Sequence, residues 1–380
     1  MKKKILFVTE RRADYSKLRP IIAAVKDSDS FDYYLVVTGS HLLKKYGYTI
    51  NEIKKDGFRI YKKFHMFYEN EEDSPATMTT AFGRAVFNLT KIIKSLRPDI
   101  VFSGFDLGGN FAAAIIGAHM NIHVAHLEGG ETTGTIDEPI RHATSKFAHI
   151  HFTSSQEATK RLIKMGENPK YIFTVGNPSL DVIKSIKFIP KRKLEDEFNI
   201  DFQKPFLLVV QHTVTTEINE IDKYFLETIR AIRDLDIQSI IIAGNIDAGS
   251  QKIKKIIENS KITYYDHLPF EKYISLLHYS SAIVGNSSSG IMEAPFLRIP
   301  TVNIGTRQAG RSNIKSIINV NYNREEIKKA IRKAITNKKF LASIKKQKNQ
   351  YGDGTAAKKI VHILERLELK KVPIQKKLSY

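Results

Sequence analysis

The segment His126-Leu-Glu-Gly-Gly-Glu-Thr-Thr-Gly-Thr-Ile-Asp-Glu-Pro-Ile-Arg-His142 follows an apolar run and ends where a helix is expected to begin. It gathers carboxylates (Glu128, Asp137, Glu138), glycines (Gly129, Gly130, Gly134) and the cationic or titratable pair Arg141 and His142 into one connection. Glycine lets a backbone bend sharply or come close to a ligand. A polar turn with solvated charges is the plain alternative, and in an arbitrary loop it would be the better one. Placement decides against it here. The segment follows a strand, at the strand end where open α/β sheets hold ligands, and loops so placed carry function.

The same strand-then-helix rhythm runs outward from this segment in both directions. Towards the N-terminus, β-rich runs fall at residues 4–8, 33–37, 59–64, 100–102 and 124–125. Helical spacing fills the gaps around Leu18, Ile21, Ile22 and Val25, over 77–96 and over 110–119. Runs at 149–152 and 171–175 follow the segment. Such alternation predicts a parallel sheet covered by helices on both faces. Gly176-Asn-Pro-Ser179 reads as the start of a linker, and 191–204 as a charged connecting region. A second alternating set then has strands at 206–210, 239–243, 262–265, 282–284 and 301–304. The expected fold is therefore α/β, with two Rossmann-like doubly wound domains and a cleft between them. The expected boundaries are 1–178 and 179–354, with a helix and tail over 355–380 returning to the first domain.

A chain of 380 residues has room for two such domains. No apolar run approaches bilayer-spanning length. Met1-Lys-Lys-Lys-Ile-Leu-Phe-Val-Thr9 reads as a first strand and lacks the pattern of a signal peptide. The absence of cysteine excludes disulfides and thiol chemistry and suits a cytoplasmic protein. A net charge of +20 invites a nucleic-acid reading. Against it, lysines are spread along the chain and concentrate on helices near the C-terminus, as Lys328, Lys329, Lys333, Lys338 and Lys339 do. Solvated helix faces explain such lysines, and a positive field also favours a small anionic substrate. No metal-ligand spacing is visible, and neither a metal nor a cofactor is expected.

Other strand ends carry chemistry too. Arg11, Arg12 and Asp14 follow the first strand, where the alternative is a capping loop. Asp106 follows a buried strand, and either seeks a partner for a buried carboxylate or caps the next helix. His212 heads the second domain. Asn245-Ile-Asp-Ala-Gly249 offers polar contacts to a ribose or base, or an Asx turn. Gly285-Asn-Ser-Ser-Ser-Gly290 opens a helix whose N-terminus suits a phosphate, with Glu293 one turn inside and Arg307 and Arg311 just beyond.

These stretches together resemble the hydrolysing UDP-N-acetylglucosamine 2-epimerases of sialic acid synthesis, and most of all the epimerase half of the bifunctional epimerase/kinase. The resemblance rests on Arg12-Ala-Asp-Tyr-Ser-Lys-Leu18, Gly39-Ser-His41, Glu128-Gly-Gly-Glu131, Gly134-Thr-Ile-Asp137, Ile140-Arg-His142 and Gln211-His-Thr-Val-Thr-Thr216. It continues through Asn245-Ile-Asp-Ala-Gly-Ser250, Gly285-Asn-Ser-Ser288, Gly305-Thr-Arg-Gln308 and Tyr351-Gly-Asp-Gly354. It implies the GT-B architecture and a homodimer or homotetramer. It implies Asp106, Glu128 and Asp137 as catalytic carboxylates, with His212 as an acid, a base or a diphosphate contact. It assigns substrate binding to Arg12, Ser16, Arg141, His142, Asn245, Asp247, Ser288, Ser289, Glu293 and Arg307. One departure stands out. The family usually has Gly-Asp-Arg after the fourth strand, whereas this chain has Phe105-Asp-Leu107; Arg11 is the expected substitute for the missing arginine. The implied reaction expels UDP from C1 as C2–H is deprotonated, and water then adds to the 2-acetamidoglucal. A legionaminic-type epimerase acting on a diacetylbacillosamine nucleotide would carry nearly the same motifs. A non-catalytic nucleotide-sugar binder would not need all three carboxylates.

Overall fold

Ile5-Leu-Phe-Val8 and Leu207-Leu-Val-Val210 are apolar at every position, so each needs cover on both faces. The computed structural model describes residues 2–72, 74–105, 108–243, 249–311 and 314–379. It places each run in the middle of its own parallel sheet.

The first unit runs β1 (Lys3–Thr9), α1 (Arg12–Lys26), β2 (Phe31–Val37), α2 (Ile50–Lys55), β3 (Ile60–Lys63), α3 (Pro75–Leu96), β4 (Ile100–Gly104), α4 (Gly108–His119), β5 (His123–Leu127), α5 (Asp137–Phe147), β6 (Ile150–Thr153), α6 (Gln156–Lys164), β7 (Ile172–Thr174) and α7 (Ser179–Ser185). Its strands lie in the order β3-β2-β1-β4-β5-β6-β7, all parallel. Period-two alternation divides β1 between two cores. Ile5 and Phe7 face α1 residues such as Leu18 and Ile21. Leu6 and Val8 face α3 and α4, with Leu89, Ile93 and Ala113.

The second unit runs α8 (Lys191–Phe198), β8 (Phe206–Val210), α9 (Ile221–Leu235), β9 (Gln238–Ile242), α10 (Ser250–Asn259), β10 (Tyr264–Tyr265), α11 (Phe270–Tyr279), β11 (Ala282–Gly285), α12 (Ser289–Phe296), β12 (Thr301–Ile304), β13 (Ile317–Val320), α13 (Arg324–Thr336) and α14 (Lys338–Lys345). Its strand order is β10-β9-β8-β11-β12-β13, again parallel. In both sheets the order reverses beside the first strand. Ligands of doubly wound sheets sit at the carboxyl ends of the strands flanking that switch. Those ends are Thr9 and Gly104 in one unit and Val210 and Gly285 in the other.

The last helix, α15 (Ala356–Arg366), belongs to the first unit, where Ile360, Val361 and Leu364 join the core beside α1. Two acceptors hold its start: Asp181 Oδ1 and Oδ2 take the N–H groups of Ala356 and Ala357 at 2.9 and 2.7 Å. The tail beyond is bound down as well. Tyr171 Oη donates to Lys371 O at 3.0 Å. His149 accepts Val124 N–H on Nδ1, so its Nε2 carries the proton given to Ile374 O at 3.0 Å.

Several details differ from the sequence reading. The contact division falls after Lys184 and before Gln350, where the sequence placed boundaries at 178 and 354, because α7 is tied to α15 through Asp181. Residues 132–135 pack with the second unit although they lie inside the first-unit loop. The charged region after Pro190 forms the helix α8, which buries only Leu194 and Phe198. The edge strand β13 was not expected, its four residues being short and partly exposed.

Candidate functional site

In the first unit the site grows from the end of β1. Asp14 turns out to be structural. It accepts Thr9 Oγ1 (3.1 Å), Glu10 N (2.9 Å) and Arg11 N (2.8 Å), satisfying N–H groups at the start of α1. Burial pushes its carboxyl up, against those donors and the Arg11 charge. Arg12 is the first residue of α1. Ser16, one turn on, donates its hydroxyl to Ala13 O at 2.8 Å. A turn is thus built that presents Arg12 and Lys17 from a fixed helix start.

Lys17 meets the opening segment. Its Nζ lies 2.7 and 2.9 Å from the two oxygens of Glu128. Asn177 Nδ2 donates to Glu128 Oε1 at 3.0 Å. Glu128 is 4% exposed, and its backbone sits at φ +62°. A side chain in the left-handed region costs about 1–3 kcal/mol and clusters at working sites. Glu128 N–H donates to Phe152 O at 3.0 Å, so the end of the neighbouring strand β6 holds it there. Gly130 follows at φ +79°, with Ala158 O only 2.3 Å from where a Cβ would lie.

Asp137 and Glu138 open α5, where carboxylates favour the helix N-terminus. Arg141, one turn later, is 2% exposed and donates from Nη1 to Glu131 O at 3.1 Å. Glu131 Oε1 in turn accepts Ser155 Oγ at 3.2 Å. His142 Nε2 lies 3.6 Å from Glu138 Oε1, and burial lowers the imidazole despite that carboxylate. Beneath the loop, His126 Nδ1 meets Ser145 Oγ at 3.1 Å; burial and the neighbouring His151, Arg141 and Lys376 keep that imidazole neutral.

The second unit assembles its own group. Gly285, at φ +128°, lets β11 end against β8, since a Cβ there would lie 2.2 Å from Val210 O. Asn286 then grips His212 by both backbone groups: His212 N donates to Asn286 Oδ1 (2.7 Å) and Asn286 Nδ2 donates to His212 O (2.9 Å). Asn286 O also accepts Arg307 Nη1 (3.2 Å) and Gln308 Nε2 (2.8 Å). Ser288 stands at the cap position of α12 without using its side chain as a cap. Ser289 Oγ is buried with no hydrogen-bond partner among the described residues. A helix start with an uncommitted hydroxyl is suited to a phosphate. Glu293 is buried one turn inside. Gly134 N donates to Arg307 O at 3.0 Å, and Arg311 Nε to Thr132 O at 2.8 Å, so residues 132–135 join this group.

Within each unit, then, Glu128 joins Lys17 and Asn177, and Asn286 ties the His212 backbone to Arg307. Asp106, Asn245 and Asp247 lie outside the described residues. Among the described residues no three His, Asp or Glu side chains gather as metal ligands, and no helix is long and apolar enough to cross a membrane.

The UDP-N-acetylglucosamine 2-epimerase family model matches residues 23–365. The chain belongs to that family. It is 35% identical over 373 residues to the UDP-N,N'-diacetylbacillosamine 2-epimerase (hydrolyzing) of Legionella pneumophila, covering 97% of each chain. It is 33% identical over 344 residues to the UDP-N-acetylglucosamine 2-epimerase of Neisseria meningitidis, covering 90% of this chain and 89% of the other. The crystal structure of UDP-GlcNAc 2-epimerase from Neisseria meningitidis bound to UDP-GlcNAc superposes with a TM-score of 0.83 at 18% identity, over 96% of this chain and 100% of that one. The Methanocaldococcus jannaschii UDP-GlcNAc 2-epimerase, in complex with UDP-GlcNAc and UDP, gives 0.78 at 21% identity, over 96% and 99%. The fold is GT-B, as the resemblance implied.

Sequence reasoning passed over two members of the Glu128 group. Asn177 was read as part of a linker, yet it is fully buried and binds Glu128, the Ser179 N–H and Ser179 Oγ. Lys17 lay inside a quoted motif without a role. The available signal was the demand of a buried carboxylate for a cation, which the sequence states without naming the partner.

Proposed function

We propose that the chain is a hydrolysing 2-epimerase that converts UDP-N-acetylglucosamine and water into N-acetylmannosamine and UDP. The observation that carries this reading is Glu128, a buried carboxylate at φ +62° held by Lys17 and Asn177 at the end of a central strand, in a chain of this family. The C2 proton has no adjacent carbonyl, so simple abstraction is slow. Loss of UDP from C1 as a carboxylate takes the C2 proton leaves the 2-acetamidoglucal. Water then adds its oxygen to C1 while C2 regains a proton on the opposite face. This needs carboxylates acting as base and acid, and dipoles or cations on the leaving diphosphate. Glu128, Asp106 and Asp137 fill the first requirement in this reading. Arg12, Arg141, His142 and Ser16 from the first unit, with His212, Ser288, Ser289, Arg307 and Glu293 from the second, fill the rest; Asn245 and Asp247 are assigned to the nucleoside.

The Legionella relative, matched at 35% identity along 97% of its length, supports a second reading in which the sugar is diacetylbacillosamine. The test is incubation of the purified protein with each UDP-sugar, identifying the freed sugar and nucleotide by mass spectrometry and NMR. N-acetylmannosamine and UDP are expected. Turnover of the diacetylbacillosamine nucleotide alone would favour the second reading. Accumulation of UDP-N-acetylmannosamine with its diphosphate intact, or no turnover of either, would overturn both.

A further inference from the structure

Glu10 follows β1, is 2% exposed, and has no part in the roles assigned above. Its backbone is pinned. The carbonyl accepts Ser40 Oγ at 3.1 Å and His41 N at 3.3 Å, and a Cβ on Gly39 would fall 2.4 Å from it. The side chain crosses to the first turn of α4. Glu10 Oε1 accepts Asn110 N at 2.7 Å and Asn110 Nδ2 at 2.9 Å. Glycine at position 109 leaves room for this approach, since a Cβ there would lie 2.9 Å from the same oxygen. Asn110 completes the arrangement. Its Oδ1 accepts Gly104 N at 3.1 Å, and its carbonyl accepts Ser103 Oγ at 2.8 Å. Asn110 therefore holds the end of β4 and the first turn of α4 together, and Glu10 holds Asn110.

We propose that Glu10, acting through Asn110, is a positioning residue that fixes the carboxyl end of β4 against the first turn of α4 for the reaction, a role that rests on the epimerase reading above. As Asp14 does at α1 and Asp181 at α15, a carboxylate of the chain itself serves the start of α4. Burial and the nearby Asp14 charge push the Glu10 carboxyl up to about 7, against the donors at Gly109 and Asn110. Arg11 is its neighbour in the chain, and His41, after β2, donates its backbone N–H to the Glu10 carbonyl. Burial holds His41 down at about 3, so that ring is neutral. The first turn of α4 carries no acid. The ionised carboxylate accepts hydrogen bonds more strongly than the acid, so the clamp tightens as pH rises through about 7.

The test compares wild type with the isosteric Glu10→Gln, whose oxygen still accepts from Asn110 but cannot ionise, after circular dichroism confirms both folds. In wild type kcat should rise through about pH 7. In the variant that step should vanish, with kcat about ten-fold lower on the alkaline side and KM within about two-fold. Superimposable kcat profiles, or a change in KM alone, would overturn the proposal. The backbone amide of Asn110, followed by nitrogen-15 NMR against pH, separates this from failure of the epimerase reading. Should wild type turn over neither UDP-sugar, that reading fails and the amide judges the clamp. An inflection near pH 7 that Glu10→Gln abolishes supports it, and a flat titration overturns it.

Discussion

Glu128 combines three properties that rarely meet in one side chain: burial, a left-handed backbone and two direct polar partners. Glu128→Gln keeps the shape and removes the base. It should lower kcat by about 100-fold to 10,000-fold with the fold intact, read as UDP release; loss of less than about ten-fold would remove Glu128 from the chemistry. Arg11 is a smaller wager. With Leu107 where the family usually has arginine, Arg11→Ala should reduce turnover, and unchanged turnover would leave that departure without a substitute. Glu128 was legible in the sequence because glycines and further acids surround it after a strand. Lys17 and Asn177 were not, because they reach it across 111 and 49 residues. Nothing local to either residue announces a partner so far along the chain.

Elements were legible where apolar period was strong. The runs of β1, β4 and β8 are buried at most positions and could hardly be surface. The misses had weak periods: α8 offers two buried residues, and β13 four residues at a sheet edge. At β11 a single glycine governs the geometry. Gly285→Ala would put a Cβ 2.2 Å from Val210 O at φ +128°. It should destabilise the second unit by about 2 kcal/mol or more, seen as a lower denaturant midpoint; an unchanged midpoint would mean that β8 and β11 need no close approach. The C-terminal tail is a second case. Lys376 Nζ donates to Ser145 O at 2.8 Å and also reaches Glu167, which binds Lys146 (3.0 Å) and His151 (3.1 Å). Lys376→Met leaves that nearly enclosed carboxylate one cation short, and should cost about 1–3 kcal/mol. Unchanged thermal stability would show that Glu167 does not need the Lys376 charge.

At the scale of the whole chain, two buried glutamates pull stability in opposite directions with pH. Burial pushes Glu167 up, but His151 and Lys376 outweigh it and hold the carboxyl at about 2, below its ordinary 4.5. Its contribution is fully present above about pH 4.5 and is lost as pH falls towards about 2. Glu10 is raised from 4.5 to about 7, so its contribution is present below about pH 4.5 and lost as pH rises through about 7. Melting temperature should therefore fall on both sides of a mildly acidic optimum, and Glu10→Gln should flatten the alkaline side only. An alkaline limb identical in the two proteins would contradict that assignment. Two tandem α/β units were legible from the repeated strand-helix alternation. The transfer of residues 132–135 to the second unit was not, since a continuous loop gives no sign of which core its middle will join.

The central claim is that a carboxylate of this chain removes the C2 proton of a UDP-linked 2-acetamido sugar as UDP departs. Proton NMR of the purified protein with UDP-N-acetylglucosamine in heavy water tests it most directly. The expected result is free N-acetylmannosamine carrying deuterium at C2, formed together with UDP. Release of UDP with an undeuterated sugar of unchanged C2 configuration would contradict it.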